Sequence, residues 1–193
     1  MATADQKAPP LRRKCGAMQV HNRLLEEHPG FRERLSALEQ ATRLRLTQPM
    51  FRSAVQTITI PIVVHVVHGK ANDSEKISKE QIDSQIQSLN HDYAAANEDK
   101  SKTPTCWAGL VTDTNIQFSL ANVDPAGTPT TGITYTATER ESFGTDDAVK
   151  SSKTGGADPW PSERYLNLWV CALGNGLLGY AQFPAGPPRP MES

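Results

Sequence analysis

A chain of 193 residues with 37% hydrophobic and 21% charged residues is long enough for one domain and an extension. The longest apolar stretch, Ile58 to Val67, is too short and too polar for a membrane span, and no apolar signal-peptide core is visible near the first residue. The cysteines Cys15, Cys106 and Cys171 are too far apart and odd in number, which excludes a disulfide framework and a metal knuckle.

The net charge of −1 is unevenly distributed along the chain. Residues 1–52 hold ten Lys/Arg and five Asp/Glu, a balance of +5, whereas residues 53–193 hold ten and sixteen, a balance of −6. Parts of opposite charge attract each other before contact forms, although two separately solvated surfaces would show the same balance. The basic part lacks interleaved aromatic residues, so we expect no nucleic-acid partner, and no membrane partner either.

The basic part predicts two amphipathic helices after a polar, disordered stretch over residues 1–14. Val20 and Leu24 lie on one face of the first helix, and the His28-Pro29-Gly30 sequence breaks it. The second helix is predicted from about Phe31 to Leu46. Its apolar stripe consists of Phe31, Leu35, Leu38 and Thr42. Two such helices have no core of their own, so we expect them to dock on the rest of the chain.

The remaining residues predict an α/β (α+β) domain with a twisted sheet of about five strands and one long packed helix. The helix runs from Ser78, which forms a capping box with Gln81, to about Asn97. The strands come from β-branched or alternating segments. These segments are Ile58 to Gly69, Asn115 to Ala121, Gly132 to Arg140, Tyr165 to Leu173 and Leu177 to Phe183.

The last two strands form the most informative stretch, from Arg164 to Pro184. A nearly continuous apolar run is typical of a strand inside a two-sided sheet, and a Gly-Asn-Gly turn follows it. In the next segment, Gly179 and Ala181 leave the backbone beside Tyr180 approachable. This pattern is typical of an edge strand with which another chain can pair.

Several segments resemble, in order, the pappalysin family of metzincin zinc metalloproteases, which includes ulilysin. They include RRKCGAMQVHNRLLEEHPGF, TIPIVVHVVHG, ISKEQIDSQIQSLNHDYAAAN, NIQFSLANVDPAGTPTTGITYT and RYLNLWVCALGNGLLGYAQFP. The resemblance covers roughly residues 12–187. It implies a secreted, extracellular zinc endopeptidase whose partners are peptide or protein substrates. It also implies a basic helical pro-segment (1–52) and an incomplete metzincin-like catalytic domain that consists of the N-terminal subdomain (53–187). An unrelated tail (188–193) follows, as after a frameshift or early stop.

The resemblance assigns three candidate sites. Cys15 resembles the pro-segment cysteine that ligates the catalytic zinc and keeps the enzyme latent, a role that basic neighbours favour. Cleavage between Arg52 and Ser53 resembles the activation step. Leu178, Gly179, Tyr180 and Ala181 resemble the upper-rim strand that binds substrate. The alternatives are an ordinary exposed cysteine, an exposed arginine in a loop and an interior or hairpin strand.

The family's zinc motif, H-E-x-x-H-x-x-G-x-x-H, does not occur in the 193 residues. His65 and His68 are three residues apart on a predicted strand, so they should point to opposite faces and not share a metal. We therefore predict no catalytic residue, no metal ligand set and no zinc at a catalytic site, and expect the chain to be inactive alone. The alternative is a non-enzymatic binding or inhibitory protein that acts through the pro-segment or an exposed sheet edge, for example on an intact paralogue. Cys171 is expected in the core, and Cys106 and Trp107 are expected to pack in the stretch between the helix and the next strand.

Overall fold

The computed structural model describes residues 13–47 and 56–184. It confirms the α/β fold class. The helices are α1 (Ala17–Glu27), α2 (Phe31–Thr47), α3 (Lys79–Tyr93) and α4 (Thr105–Ala108), and the strands are β1 (Lys14–Cys15), β2 (Ile58–Gly69), β3 (Ile116–Leu120), β4 (Ile133–Thr138), β5 (Leu166–Val170) and β6 (Leu177–Gly179).

The long strand β2 organises the main sheet. It pairs in parallel with β3 along its first half, with β4 along its second half and with β5 across its middle. Every residue from Ile62 to Val67 is buried. A strand covered on both faces needs a continuous apolar, β-branched run, and β2 has that composition.

Helix α3 packs on the sheet as its sequence predicts. The Ser78 hydroxyl caps it by accepting a hydrogen bond from the Gln81 amide at 3.3 Å, and Ile82 is buried in the core. The Asn90 side chain ties the helix to β3, since it donates to the Phe118 carbonyl (3.0 Å) and accepts from the Phe118 amide (2.7 Å). The helix ends at Tyr93, before the predicted end at Asn97.

The fifth predicted strand does not join the main sheet. Among the described residues that sheet has four strands, and β6 instead pairs with β1 in a separate two-stranded sheet. Asn175 and Gly176 adopt positive φ angles of 55° and 71° in the turn after β5, and β6 follows on a new course. The sequence does not predict β1, because two residues are too few to show alternation.

Two packing predictions are wrong. Only the beginning of α2 docks: Phe31 is fully buried and Leu35 half-buried, but Leu38 and Thr42 are exposed. Cys106 and Trp107 were expected to pack in the stretch between helix and strand, yet both are exposed on α4, which is too short to bury a face. Cys171 is half-buried and packs against the cluster around Val67, in agreement with the prediction.

No helix in residues 13–47 and 56–184 is long and apolar enough to cross a membrane.

Candidate functional site

The candidate site is the contact between the N-terminal segment (residues 13–47) and β6. Strand β1 lies parallel to β6, with Lys14 opposite Leu177 and Cys15 opposite Gly179. The Lys14 amide donates to the Gly176 carbonyl at 3.1 Å, and the Gly16 amide donates to the Gly179 carbonyl at 2.9 Å. The backbone of the N-terminal segment therefore occupies acceptors at both ends of β6.

Gly16 allows this close approach. A Cβ atom at Gly16 would lie 2.8 Å from the Thr145 Cγ2 and 2.9 Å from the Leu177 Cδ1, distances that real Cβ atoms do not tolerate. The glycine thus places Cys15 directly against Gly179, with the cysteine exposed. Two sites predicted separately, Cys15 and the strand around Gly179, come together in the structure.

An apolar cluster holds the N-terminal segment beyond the strand pair. Its buried members are Val20, Leu24 and Phe31, and the partly buried residues around them are Leu25, Leu35 and Tyr180. All except Tyr180 come from the N-terminal segment. The Phe183 ring adds an edge contact to His21, with the ring centroids 4.9 Å apart. The residues just after β6 thus form the other wall of a small core that α1 and α2 complete.

A polar contact joins α1 to the loop before β5. The Arg23 guanidinium lies 2.7 Å from the Asp147 carboxylate and donates to the Thr145 carbonyl at 3.1 Å. The same carboxylate accepts a 2.6 Å contact from the Lys150 ammonium and a 3.2 Å hydrogen bond from the Tyr180 hydroxyl. Asp147 itself has a left-handed backbone with φ 63°. It links the two parts of the chain.

These contacts change how the groups ionise. Burial tends to raise the pKa of Asp147, but hydrogen bonds from Lys150 and Arg23 outweigh it and hold the pKa below its ordinary value of 3.8. The pKa of Arg23 is raised because its hydrogen bond to Asp147 favours the charged guanidinium. Burial, with a contribution from the neighbouring Asp147 carboxylate, also raises the pKa of the Tyr180 hydroxyl. The carboxylate is therefore charged and the hydroxyl protonated at neutral pH.

His65 and His68 differ in burial and in their contacts. His65 is buried, and its two ring nitrogens lie 2.8 Å from the Thr134 hydroxyl and 3.0 Å from the Asn167 side-chain oxygen. Burial lowers the pKa of His65. His68 is only half-buried and contacts the Gly69 carbonyl. His65 is thus a hydrogen-bonded core residue.

No protein-family model and no curated protein matches the chain. Solved structures do. A promirolysin variant from Tannerella forsythia is 42% identical with a TM-score of 0.75, and the match covers 90% of this chain and 55% of that one. Mature mirolysin from T. forsythia in complex with a cleaved peptide is 51% identical with a TM-score of 0.65, covering 68% and 48%. Mirolysin in complex with a compound is 50% identical with a TM-score of 0.64, also covering 68% and 48%.

The chain belongs to the pappalysin family of metzincin metalloproteases. It spans about half the length of the matched structures, 48% to 55%. Metalloproteases of this family are zinc enzymes in general. The described residues of this family member do not fit a zinc site by themselves, since they contain no group of three or more His, Cys, Asp or Glu that could hold a metal ion. Cys15 offers one soft sulfur ligand.

Sequence reasoning missed Arg23 and Asp147, and it could not place Arg52 and Ser53. The only signal for the first pair was the opposite charge of the two parts of the chain. Arg52, Ser53 and the tail 188–193 lie outside the described residues.

Proposed function

We propose that this chain is the pro-segment and amino-terminal part of a secreted zinc metalloendopeptidase, and that its pro-segment blocks the strand that binds peptide substrates. The observation that carries the proposal is the pairing of β1 with β6. An extended peptide binds a sheet edge through main-chain hydrogen bonds. The Gly176 and Gly179 carbonyls already accept such bonds from Lys14 and Gly16, so a peptide and the pro-segment compete for the same strand.

The comparisons support the substrate class and the domain boundary of this proposal. Mature mirolysin was solved with a cleaved peptide, which supports peptides as substrates. The matched share of this chain rises from 68% against mature mirolysin to 90% against promirolysin. This difference supports residues 1–52 as the pro-segment and residues 53–187 as the amino-terminal part of the catalytic domain. We propose Arg52-Ser53 as the activation bond.

Hydrolysis in this enzyme class requires a zinc ion that activates water and a general base, usually the Glu of H-E-x-x-H. The 193 residues do not contain that motif. In our proposal the chain therefore cleaves no peptide alone. Zinc-dependent, chelator-sensitive cleavage by the purified 193-residue chain would contradict this part of the proposal.

A chimera tests the function directly. Residues 1–184 are joined to the part of promirolysin that this chain does not match, and cleavage of a fluorogenic peptide library is followed before and after limited trypsin treatment. We expect a latent chimera that becomes an active, chelator-sensitive peptidase when the bond after Arg52 is cut. An Arg52→Gln chimera should stay latent, and a Cys15→Ser chimera should also need the cut, because the Lys14 and Gly16 amides still occupy β6.

Two outcomes would overturn the proposal. The first is a folded chimera that remains inactive after the pro-segment has been removed. The second is a chimera that is fully active while the pro-segment is intact and bound. The fact that β1 pairs with β6 of its own chain favours latency in cis over the inhibition of an intact paralogue, because the inhibitory strand is already in use.

A further inference from the structure

We propose that Asn175-Gly176, in the turn before β6, is a deamidation site that the docked N-terminal segment keeps closed. When the segment leaves, the site opens, and the isoaspartate that forms there weakens the pairing of β6 with any chain that takes the place of β1. The effect on bound peptides rests on the proposed function, whereas the reaction and its control by docking do not.

The sequence favours this reaction at one position. Asn175 is the one asparagine in the 193 residues that a glycine follows, and its side chain is exposed. Deamidation needs the backbone nitrogen of the next residue to attack the asparagine side chain. A side chain on that next residue shields the nitrogen, and glycine has none.

The reaction needs water as its only co-reactant. The backbone nitrogen of Gly176 attacks the side-chain carbonyl carbon of Asn175 and forms a new C–N bond. The bond to the side-chain amide nitrogen breaks, and that nitrogen leaves as ammonia with the proton of the Gly176 amide. Water then opens the succinimide ring. Opening at the backbone carbonyl gives isoaspartate, whose main chain runs through Cβ and Cγ and is one methylene longer, with a new carboxylate beside it.

The backbone of the turn holds the reacting atoms apart. Asn175 has φ 55° and Gly176 has φ 71°, and at such a φ a non-glycine residue has a ψ of about 30–60°. This ψ places the Gly176 nitrogen on the far side of the Cα–C bond from the Asn175 Cβ. The nitrogen therefore cannot reach the side-chain carbonyl until the turn opens.

Hydrogen bonds on both sides keep the turn in this conformation. The Leu177 amide donates to the Gly174 carbonyl at 3.0 Å, and the Lys14 amide donates to the Gly176 carbonyl at 3.1 Å. The bond from Lys14 is lost when the N-terminal segment leaves, so the turn then opens about two to ten times more often, the effect of one backbone hydrogen bond. An added methylene before Gly176 displaces the same carbonyl, so isoaspartate removes an acceptor that β1 uses.

Peptide mapping by mass spectrometry measures the reaction in the full 193-residue chain, incubated at neutral pH. We expect Asn175 to deamidate at about a tenth of its rate in a digest of the same chain, or less, because the turn is held. Phe31→Asp and Val20→Asp each put a carboxylate into the buried apolar cluster of the N-terminal segment and should release that segment. Both should deamidate Asn175 about two to ten times faster than wild type. Leu38→Asp, at an exposed position of α2, should not change the rate.

An internal control and the aged chain complete the test. Asn115 has the same φ of 55° but precedes Ile116, so it should stay intact in every variant. Ion exchange isolates the aged chain by its new negative charge, and its Lys14 amide should exchange hydrogen about two to ten times faster than before. Asn175→Asp adds the charge without the methylene and should keep wild-type exchange. Asn175→Gly tolerates the positive φ, cannot deamidate, and should not change during the incubation.

The outcomes separate this site from the proposed function. Equal rates in the folded chain and its digest, or in wild type and the two released variants, would overturn the control by docking. Wild-type exchange at Lys14 in the aged chain, or equally fast exchange in Asn175→Asp, would overturn the effect on pairing. Each of these results leaves the latent peptidase intact. A chimera that never cleaves peptides would overturn the peptidase and leave the deamidation site intact.

Discussion

Replacing Phe31 by alanine should release the N-terminal segment from β6 while leaving the main sheet folded. Phe31 has 0% exposure and lies in the cluster with Val20 and Leu24. Truncation of a fully buried phenylalanine costs about 3–5 kcal/mol. Residues 13–47 are too few to fold without the rest of the chain. The lost free energy therefore weakens the docking of this segment on the rest of the chain. Even the lower value corresponds to about a 100-fold smaller docking constant.

Hydrogen exchange at single amides measures this loss. The Lys14 and Gly16 amides report docking because their acceptors lie at the ends of β6, and the amides of Val63 and Val67 in β2 report the main core. We expect exchange at the first two to accelerate about 100-fold or more, and the second two to keep their protection. Leu38→Ala is the matched control, since Leu38 lies on the same helix but is 45% exposed. It should change exchange about twofold at most.

Two results would refute the reasoning. If the β2 amides lose as much protection as Gly16, the cluster around Phe31 belongs to the main core and does not hold the N-terminal segment independently of it. If Phe31→Ala behaves like Leu38→Ala, the helices α1 and α2 contribute nothing to docking. The strand pair would then hold the segment alone.

Three further predictions concern the same contact. Gly16→Ala should displace β1, because its Cβ would overlap Thr145 and Leu177; faster hydrogen exchange at the Lys14 amide, which donates to the Gly176 carbonyl, would show this, and unchanged exchange would count against it. The pKa of Asp147 is below its ordinary value of 3.8, so its contribution to docking is complete above that value and is lost as pH falls towards the lowered pKa. A pH series of Gly16 exchange should show this loss, and Asp147→Asn should lack it. Burial raises the pKa of the Cys171 thiol to about 11, so mass spectrometry after iodoacetamide treatment at neutral pH should find Cys171 labelled far more slowly than the exposed Cys106. Equal rates at the two thiols would contradict this.

Local patterns in the sequence predicted the main sheet and its helix well. The bounds of β2 agree with the β-branched run Ile58 to Gly69, and the hydroxyl of Ser78 caps α3 as the capping box predicts. Both are determined by residues close together in the chain, namely a buried run and a cap. The resemblance also pointed to Cys15 and the strand around Gly179.

Contacts between distant residues could not be predicted in the same way. Arg23 and Asp147 are 124 residues apart, and nothing in the local pattern of either residue indicates the other. Likewise, the stripe on α2 predicts a docked face along the whole helix. In the described structure, however, Leu38 remains 45% exposed. Amphipathic periodicity shows which face can be buried, and the tertiary contacts decide how much of it is.

The contacts that hold the N-terminal segment suggest how activation works. They include two strand hydrogen bonds, one apolar cluster, the ring contact of His21 with Phe183, and the contacts of Arg23 with Asp147 and the Thr145 carbonyl. Cutting the chain after Arg52 removes none of them. A cut changes only the linkage: a tethered segment acts at an effective concentration in the millimolar range, whereas a free one is diluted into solution. In the proposed enzyme, the same contacts therefore cover β6 more completely while the segment is tethered than after the cut. A single cleavage would favour exposure of the peptide-binding strand without breaking any of these contacts first.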